Sequence, residues 1–435
     1  MGRKRSYVPL TVFLHSNRVG QLSREKSGAV HFQYDADWIA RESAIPVSVS
    51  MPLRNDKYTG ATVMAVFDNL LPDYEPIRRR VAERVGAQGT DAYSLLSEIG
   101  RDCIGALQFL PDDQEPETTN SLAGEPLTND AIEALLNDLD VTPLGIRSES
   151  SFRISVAGAQ EKTALLYHNQ QWIQPDGTTP TSHIIKPQIG KLNNGIDLSN
   201  SVENEFYSLK LIEAMGLRTA NVSMAMFNRK KALVIERFDR RWTDDGRLVR
   251  LPQEDCCQAL AVAPTGKYQS EGGPGIEDIM DVLRGSDHPF DDRRDFFKAT
   301  ILFWLMGATD GHAKNFSLAL SSRGRFRMTP LYDVLTIQPS VDSKRLAKKD
   351  FKLAMRVGQS KQYNVDKIRG RHFVHTGLKA GLSRQVISHL FDEIAAECEP
   401  ALRKVAEMLP DDFPETIPAS VTSAMRSRLN RLEME

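Results

Sequence analysis

One loop in the C-terminal half has the residue types and spacing of a phosphoryl-transfer site. An apolar stretch over residues 296–306, which we predict to be helical, ends at Gly307 and leads to Asp310, with Asn315 five residues further on. This D-x-x-x-x-N spacing is that of the kinase catalytic loop, in which the aspartate accepts a hydroxyl proton and the asparagine binds a metal ion. The pattern predicts Asp310 as the catalytic base.

We predict that Asn315 and Asp333 hold Mg²⁺. Asp333 follows a short predicted hairpin and can supply a second oxygen ligand. Mg²⁺ favours ligation by one or two protein oxygens, completed by water and phosphate oxygens. His312 lies inside the same loop, and we expect it to orient the loop by hydrogen bonds, because Asp310 already has the spacing for the proton-accepting role.

A lysine and a glutamate upstream complete the predicted set. Lys186 ends an apolar strand predicted over residues 182–186, where a lone ammonium is costly unless an anion meets it. Glu205 lies on the apolar stripe of a helix predicted over residues 200–215, so it requires a buried cation. We expect Lys186 and Glu205 to pair and to hold the ammonium against phosphates. Glu203 lies off this stripe and is interpreted as a helix cap.

A small-residue loop is the predicted phosphate cover. Residues 152–156 and 163–167 alternate as strands do, and we predict that they form a hairpin. The turn between them, Ala157-Gly158-Ala159-Gln160, allows backbone N–H groups to approach phosphate oxygens. Taken alone, the small-residue loop is better explained as a turn and the D-x-x-x-x-N loop as a cap or Asx turn, and a strand-end lysine explains Lys186 equally well. The ordered set of Lys186, Glu205, Asp310, Asn315 and Asp333 favours a nucleotide site.

The composition is that of an ordinary globular protein. The 435 residues are 41% hydrophobic and 26% charged, with a formal net charge of −2, which excludes a wholly disordered or collagen-like chain. Four cysteines without a C-x-x-C pair indicate neither a disulfide framework nor a zinc site. The longest apolar run, residues 301–308, is far below the roughly 20 residues that span a bilayer. We expect a cytoplasmic protein without a membrane segment.

Changes of pattern along the chain suggest a mixed α/β unit first and then, from residue 151, an order of strands and a helix that is typical of a small lobe covering a nucleotide. The predicted division is an N-terminal mixed α/β domain (1–112), a linker with a short helix (113–150), a nucleotide-covering small lobe (151–238) and a mostly helical catalytic lobe (239–435).

With these residues in place, the chain closely resembles HipA-type toxins, the serine/threonine protein kinases of HipBA toxin–antitoxin systems. The resemblance covers nearly the whole length and rests on long motifs in the same order, so it is more specific than an analogy of fold. The motifs are FDNLLPD (67–73), LLSEIGRD (95–102), FRISVAGAQEKT (152–163), ERFDRR (236–241) and the loop that carries Asp310.

The resemblance implies an α+β, protein-kinase-like two-lobed fold with an extra N-terminal mixed α/β domain and a helical C-terminal lobe. It also implies the layout of an ATP site. ATP lies under the loop of residues 157–162, Glu236, Arg237 and Phe238 form the hinge beside adenine, and Ser155 matches the autophosphorylated serine of the family. Lys186, Glu205 and Asp310 take the catalytic roles. The residues assigned to the nucleotide are Ala157, Gly158, Ala159, Gln160, Glu161, Lys162, Lys186, Glu236, Arg237, Phe238, His312, Lys314, Asn315, Tyr332 and Asp333.

The resemblance also implies a substrate and a partner. The protein substrate is glutamyl-tRNA synthetase, whose modification causes growth arrest, persistence and antibiotic tolerance. The partner is a HipB-type helix-turn-helix antitoxin that binds operator DNA and represses transcription. No basic residues near Lys379 match those through which some relatives touch DNA, so operator contact is expected through the antitoxin complex. Two alternatives stay open: a non-catalytic co-repressor and a small-molecule kinase.

Overall fold

The structure is a computed structural model that describes residues 7–112, 114–116, 122–146, 152–158, 160–191, 196–360 and 362–434. Ala159 lies outside the described residues. The chain forms two compact units. Unit 1 comprises Met1–Pro187, Ala225–Thr265 and Leu318–Phe326, and unit 2 comprises Gln188–Met224, Gly266–Ser317 and Arg327–Glu435. Both α-helices and β-strands occur in each unit, so the predicted α+β class is confirmed.

The strands of the described residues follow in chain order. They are β1 Leu10–Leu14, β2 Asn17–Arg24, β3 Val30–Tyr34, β4 Tyr58–Thr59, β5 Leu107–Pro111, β6 Gly124–Leu127, β7 Thr163–His168, β8 Gln171–Pro175, β9 His183–Pro187, β10 Gly190–Lys191, β11 Asp197–Leu198, β12 Val222–Phe227, β13 Lys230–Glu236, β14 Arg240–Trp242, β15 Leu248–Arg250, β16 Gln253–Asp255, β17 Ser317–Leu320, β18 Phe326–Met328, β19 Lys352–Val357 and β20 Gln362–Asn364.

The α-helices of the described residues also follow in chain order. They are α1 Ala36–Ala40, α2 Ala61–Asp68, α3 Glu75–Val85, α4 Ala92–Ile99, α5 Asn129–Asn137, α6 Ser201–Ala214, α7 Cys256–Ala259, α8 Ile276–Val282, α9 Pro289–Met306, α10 Gln338–Asp342, α11 Gly370–Lys379, α12 Arg384–Glu407 and α13 Thr416–Leu429.

Unit 1 contains two large sheets. The first has the strand order β4-β3-β2-β1-β5, and its neighbouring strands run antiparallel. The second has the order β12-β13-β9-β7-β8-β6. Helix α5 packs on this second sheet and buries Ile132 and Leu136 against Leu165 and Ile185. Burying side chains of this size stabilises the fold by about 1.5–3 kcal/mol each.

The hairpin predicted from residues 152–167 does not form. Strand β7 pairs with β9 and β8, while residues 152–157 belong to no strand. Residues 152–158 run beside the N-terminal part of unit 1 instead, where Ser155 N donates to the carbonyl oxygen of Asp102 and Gly158 forms a parallel bridge with Pro72. Alternation of side chains indicates an extended segment with one buried face, but it does not identify the partner.

Unit 2 is organised around α9. This helix buries almost every side chain from Phe296 to Met306, and it ends, as predicted, at Gly307, whose φ of 71° places it in the left-handed region. Arg428 on α13 donates to the carbonyl oxygen of Leu305 at 2.8 Å and so satisfies a free acceptor at the helix end. Despite its apolar sequence, α9 is a core helix: no helix among the described residues is long and apolar enough to cross a membrane.

Candidate active site

The loop that follows α9 forms a closed turn around the backbone of Asp310. The carbonyl oxygen of Asp310 accepts hydrogen bonds from the backbone N of His312 at 2.8 Å and from Nδ2 of Asn315 at 2.8 Å. The same Nδ2 lies 3.5 Å from the carbonyl oxygen of Asp333. The amide of Asn315 therefore fixes the main chain at both predicted acidic residues, five and eighteen positions away in sequence.

The segment that carries Asp333 is held on both sides. Leu331 donates through its backbone N to the carbonyl oxygen of Arg218, and Tyr332 donates through its hydroxyl to the carbonyl oxygen of Lys314 at 2.9 Å. Asp333 itself has a φ of 58°, in the left-handed region that few residues other than glycine adopt. Such a conformation persists where the surroundings impose it, and it is common at functional sites.

The carboxylate of Asp310 is exposed, and its Oδ1 accepts a hydrogen bond from the hydroxyl of Tyr268 at 2.7 Å. An exposed carboxylate on a fixed loop can accept a proton from an incoming hydroxyl. The ring of His312 is buried and meets the ring of Tyr268 edge to face, with 5.0 Å between centroids. Sequence reasoning did not single out Tyr268, which lies 42 positions before Asp310.

Helix α6 places Glu205 in the buried part of unit 2. Glu205 is 2% exposed, in line with its predicted position on the buried stripe. The neighbouring Asn204 fixes the helix by exchanging hydrogen bonds with the backbone of Thr336, at 2.8 and 2.9 Å. Thr336 donates in turn through its hydroxyl to the carbonyl oxygen of Met306 at the end of α9. The helix that carries Glu205 is thus tied to the element that delivers Asp310.

The prediction that Glu203 caps this helix is wrong. Asn200 occupies the N-cap position without a side-chain capping bond, and Glu203 is buried at 3% exposure. Its Oε2 accepts from Nε2 of Gln188 at 2.6 Å. Capping spacing in the sequence cannot distinguish a capping carboxylate from one that accepts from a buried amide, because the amide of Gln188 lies outside the helix, 15 positions earlier in the chain.

In unit 1 the predicted phosphate loop is anchored by its own lysine. Lys162 is buried and donates from Nζ to the carbonyl oxygen of Ala157 at 2.7 Å. Gly158 between them has a φ of 113°, and a Cβ there would lie 2.4 Å from Nζ of Lys162. The backbone conformation therefore disfavours a side chain at this position, and a Cβ would also displace the Lys162 ammonium from its bond to Ala157. Asp73 N donates to the carbonyl oxygen of Gly158 at 3.1 Å.

The next two loop residues point to other parts of unit 1. Gln160 donates from Nε2 to the carbonyl oxygen of Pro187 at 3.1 Å, which ties the loop to the end of β9. Glu161 forms an ion pair with Arg80 of α3 at 2.7 Å. Burial raises the pKa of Glu161, and the hydrogen bond from Arg80 opposes that shift.

Lys186 and the predicted hinge lie on paired strands. In the antiparallel pairing of β9 with β13, Lys186 is opposite Leu233 and Glu236 is opposite His183. Lys186 is 5% exposed. The chain then continues through Arg237, whose backbone N donates to the carbonyl oxygen of Ser182. The strand that carries Lys186 is thus paired in the sheet with the strand that leads into the predicted hinge.

The side chain of Arg237 belongs to a buried ion network that sequence reasoning did not find. Its guanidinium donates to Asp239 at 2.7 Å and to the carbonyl oxygen of Cys103 at 2.8 Å, and it lies 3.4 Å from Asp102. The Asp102 carboxylate also accepts from Arg240 at 2.9 Å and from Arg250 at 2.8 Å. Burial opposes the ionisation of Asp102, but the three arginines outweigh it and hold its pKa well below the ordinary value.

This network explains two of the motifs that carry the family resemblance. Asp102 ends the LLSEIGRD motif, and Arg237, Asp239 and Arg240 lie in ERFDRR. The guanidinium of Arg237 is committed to these partners and its backbone N to Ser182, so Arg237 can offer a nucleotide only its carbonyl oxygen, which also accepts from the backbone N of Arg240. Two residues 135 positions apart in sequence, one in each motif, therefore join the N-terminal part of unit 1 to the predicted hinge.

The donor set around Asp310 suits Mg²⁺. No group of three or more His, Cys, Asp or Glu side chains that could hold a metal ion occurs in the described parts of the chain. Mg²⁺ needs fewer protein ligands than that, since it keeps several waters and binds phosphate oxygens. Asn315 and Asp333 offer one amide oxygen and one carboxylate on segments joined by the Asn315 amide.

The predicted residues are divided between the units. Unit 1 carries Ser155, the loop of residues 157–162, Lys186 and the hinge. Unit 2 carries Glu205, His312, Lys314, Asn315, Tyr332 and Asp333 together with Asp310. The pairing of Lys186 with Glu205 joins residues of different units and stays a prediction.

Two family profiles match the chain. Residues 10–110 match the HipA N-terminal domain, and residues 154–402 match the HipA-like C-terminal domain. The second match alone covers more than half of the chain and includes every residue assigned above to the nucleotide and catalytic roles.

Individual relatives agree with these matches. The protein Y4mE of Sinorhizobium fredii is 33% identical over 92% of this chain and 94% of its own length. The serine/threonine-protein kinase toxin HipA of Shewanella oneidensis is 27% identical over 93% of this chain and 90% of its own. The solved structure of Shewanella oneidensis HipA with HipB and its operator DNA superposes with a TM-score of 0.80 and 25% identity, covering 98% of this chain and 96% of the solved one. The chain belongs to the HipA family of toxin–antitoxin kinases.

Proposed function

We propose that the protein is an ATP-dependent serine/threonine protein kinase that transfers the γ-phosphate to a protein hydroxyl. The observation that carries this proposal is the loop geometry of unit 2, in which one amide, Asn315, fixes the backbone at both Asp310 and Asp333. Asp310 accepts the proton of the acceptor hydroxyl. Lys186, supported by Glu205, holds the phosphates, and the loop of residues 157–162 covers them.

Asn315 and Asp333 would hold Mg²⁺ through one amide and one carboxylate oxygen. Bound there, Mg²⁺ neutralises charge on the phosphate oxygens. The part played by the chain is to keep these two side chains and the Asp310 carboxylate on one rigid loop system. That rigidity matters because phosphoryl transfer depends mainly on positioning and electrostatic stabilisation.

The experiment that tests the activity uses the variant Asp310→Asn. It keeps the shape of the side chain and its backbone bonds but removes the proton acceptor. We expect transfer of labelled phosphate to fall by about 10²–10⁴-fold or more. Asp411→Asn, at an exposed position outside the site, is the matched control and should transfer phosphate at the wild-type rate. Undiminished transfer by Asp310→Asn would remove Asp310 from the mechanism.

The substrate proposed from the family resemblance is glutamyl-tRNA synthetase. Its phosphorylation would arrest translation in the cytoplasm and produce persistence and antibiotic tolerance. Incubating the purified protein with ATP and a cell extract, followed by mapping of phosphosites by mass spectrometry, tests this. A phosphosite on glutamyl-tRNA synthetase that is absent with Asp310→Asn supports the proposal. Phosphate found only on other proteins, or only on small molecules, excludes that substrate.

The partner proposed is a HipB-type antitoxin, through which the protein would reach operator DNA and take part in repression. The Shewanella oneidensis relative was solved with HipB and its operator DNA, which favours this assembly. The same observation favours a second candidate function, a co-repressor without catalysis. Titration of a nucleotide with and without Mg²⁺ separates the two, because a kinase should bind ATP more tightly with the ion, whereas a pure co-repressor needs neither.

We further propose that the protein inactivates itself by phosphorylation at Ser155. This side chain is 0% exposed, and its hydroxyl donates to the carbonyl oxygen of Leu70 at 2.7 Å. A phosphate adds about −1.5 to −2 charges and strong acceptors, which this buried position cannot hold. The segment of residues 152–158 would therefore leave its place, and the phosphate loop next to it would leave with it.

A further inference from the structure

The side chain of Tyr268 contacts the carboxylate of the predicted base, Asp310. Its hydroxyl donates to Oδ1 of Asp310 at 2.7 Å. Tyr268 is half-buried, and its ring meets the ring of the buried His312 edge to face. The Tyr268 side chain is therefore held by two contacts, the hydrogen bond of its hydroxyl to Asp310 and the contact of its ring with His312.

The segment around Tyr268 is fixed to the same strand as the Asp310 loop. The carbonyl oxygen of Tyr268 accepts from the backbone N of Gly273 at 3.0 Å, which closes a tight turn. A Cβ at Gly273 would lie 2.0 Å from the carbonyl oxygen of Gly266, so the turn leaves no space for a side chain. The turn is compact because glycine allows this close approach of two backbone segments.

Strand β19 joins this turn to the catalytic loop. Gln269, the neighbour of Tyr268, accepts through Oε1 from the backbone N of Arg356 at 2.8 Å. Two residues earlier on the same strand, Ala354 N donates to the carbonyl oxygen of Thr309 at 2.9 Å. Tyr268 and Asp310 are thus each one residue away from an anchor on β19, and a single strand sets the distance between them.

We propose that Tyr268 is a positioning residue for the catalytic base, an inference that rests on the proposed kinase function. The torsion that turns a carboxylate plane is broad, and an exposed aspartate samples it freely. The Tyr268 hydroxyl fixes that plane by holding Oδ1, which leaves Oδ2 to accept the proton of the acceptor hydroxyl. Asn315 fixes the main chain of Asp310 and Tyr268 fixes its side chain, so the two act on different parts of one residue.

A competing interpretation is that the phenol occupies the place of the acceptor hydroxyl and blocks the site. The double anchoring through β19 argues against it, because a blocking side chain must leave when substrate binds. The two interpretations predict opposite effects on rate. A positioning hydroxyl makes its removal slow the reaction, whereas a blocking hydroxyl makes its removal accelerate it.

The test is Y268F, which keeps the ring and its contact with His312 and removes only the donor. We expect kcat for phosphoryl transfer to fall by about 10–100-fold, as misplaced catalytic groups do, with KM for ATP changed by less than about twofold. Replacing Tyr268 by p-aminophenylalanine restores a donor at the same place and should recover most of kcat. The matched control is Y207F, which removes a buried hydroxyl on α6 that bonds Thr422, and it should leave kcat unchanged.

The outcomes separate this inference from the proposed function. If wild-type protein transfers phosphate and D310N does not, the kinase function stands, and Y268F alone decides the role of Tyr268. An unchanged or higher kcat in Y268F overturns the inference, as does a change confined to KM for ATP. Lack of recovery with p-aminophenylalanine overturns it too, because the loss would then come from altered packing. Transfer by D310N would instead remove the base on which the inference depends.

Discussion

The hydroxyl of Ser155 donates a hydrogen bond to the carbonyl oxygen of Leu70, 85 residues earlier in the chain, at 2.7 Å. Both residues lie in unit 1, and Leu70 belongs to the FDNLLPD motif of the N-terminal region. Three residues on, Asp73 N donates to the carbonyl oxygen of Gly158. The N-terminal region therefore holds the segment that leads into the predicted phosphate loop, which gives that region a structural role besides any docking of partners.

The first prediction concerns Ser155→Asp. Its carboxylate would face the Leu70 carbonyl, so two acceptors would meet in a buried place without a donor. We expect the segment to detach and the affinity for ATP to fall by about tenfold or more. Each tenfold loss of affinity corresponds to about 1.4 kcal/mol of binding free energy. Isothermal titration with ATP and turnover measurements check it. Ser155→Ala, which loses the bond but adds no charge, should retain turnover. Normal affinity and turnover in Ser155→Asp would exclude the detachment mechanism.

The second prediction concerns the Mg²⁺ requirement. Asp333→Asn should raise the Mg²⁺ concentration for half-maximal transfer by at least about tenfold, because it removes the charged ligand. Asparagine tolerates the left-handed conformation that Asp333 adopts at a φ of 58°, so the backbone should be retained. Activity measured across a Mg²⁺ series checks this. The exposed Asp350→Asn serves as control, and an unchanged Mg²⁺ dependence in Asp333→Asn would place the ion elsewhere.

The third prediction concerns the buried network. Asp102→Asn leaves the guanidinium groups of Arg237, Arg240 and Arg250 without their shared carboxylate. Removing one partner of a buried ion pair costs about 3–5 kcal/mol, and urea unfolding should show a loss of that order. Asp245→Asn removes one partner of an exposed pair with Arg247 at 2.7 Å and should change the unfolding midpoint little. Equal effects of the two substitutions would contradict the stabilising role of the network.

Acid should act on the same network. The folded-state pKa of Asp102 lies below the unfolded value, so its contribution to stability is present above the unfolded pKa and is lost as pH falls through the folded one. The free energy of unfolding should therefore decrease towards strongly acidic pH in the wild type. In the Asp102→Asn variant, the free energy of unfolding should decrease less over the same pH range, because the titrating carboxylate is gone.

The fourth prediction concerns Glu254, whose pKa is shifted in the opposite direction from that of Asp102. Burial raises its pKa to about 8, and the hydrogen bond from the backbone N of Val49 to Oε1 offsets part of the shift. The folded state therefore holds a proton that the unfolded state releases above a pKa of 4.5. Stability from this group is complete below that value and is lost as pH rises towards about 8, with a slope of up to about 1.4 kcal/mol per pH unit.

Glu254→Gln checks this directly. Glutamine keeps the acceptor for Val49 and cannot ionise, so the variant should lose this part of the pH dependence and be more stable than wild type near pH 8. Thermal or urea unfolding between pH 5 and pH 8 provides the measurement. A wild type and variant with parallel pH profiles would show that Glu254 titrates near its ordinary pKa.

The local chemistry and the family could be predicted from the amino-acid sequence. Asp310 and Asn315 lie five positions apart in one loop, and the apolar helix that delivers them ends at Gly307 as predicted, because helix periodicity and a left-handed glycine stop are properties of neighbouring residues. The long motifs were sufficient to identify the HipA family, and the comparisons confirmed it together with the α+β class. The domain boundaries and the individual site assignments stay predictions.

Contacts between residues far apart in sequence could be identified only in the folded chain. Residues 152–156 alternate like a strand but run beside Leu70 and Asp102 rather than forming the expected hairpin. Arg237 meets Asp102 across 135 residues, and Tyr268 meets Asp310 across 42. Local periodicity reports which face of a segment is buried, whereas its partner is chosen by packing and hydrogen-bond satisfaction over the whole fold, and those depend on segments that no local window contains.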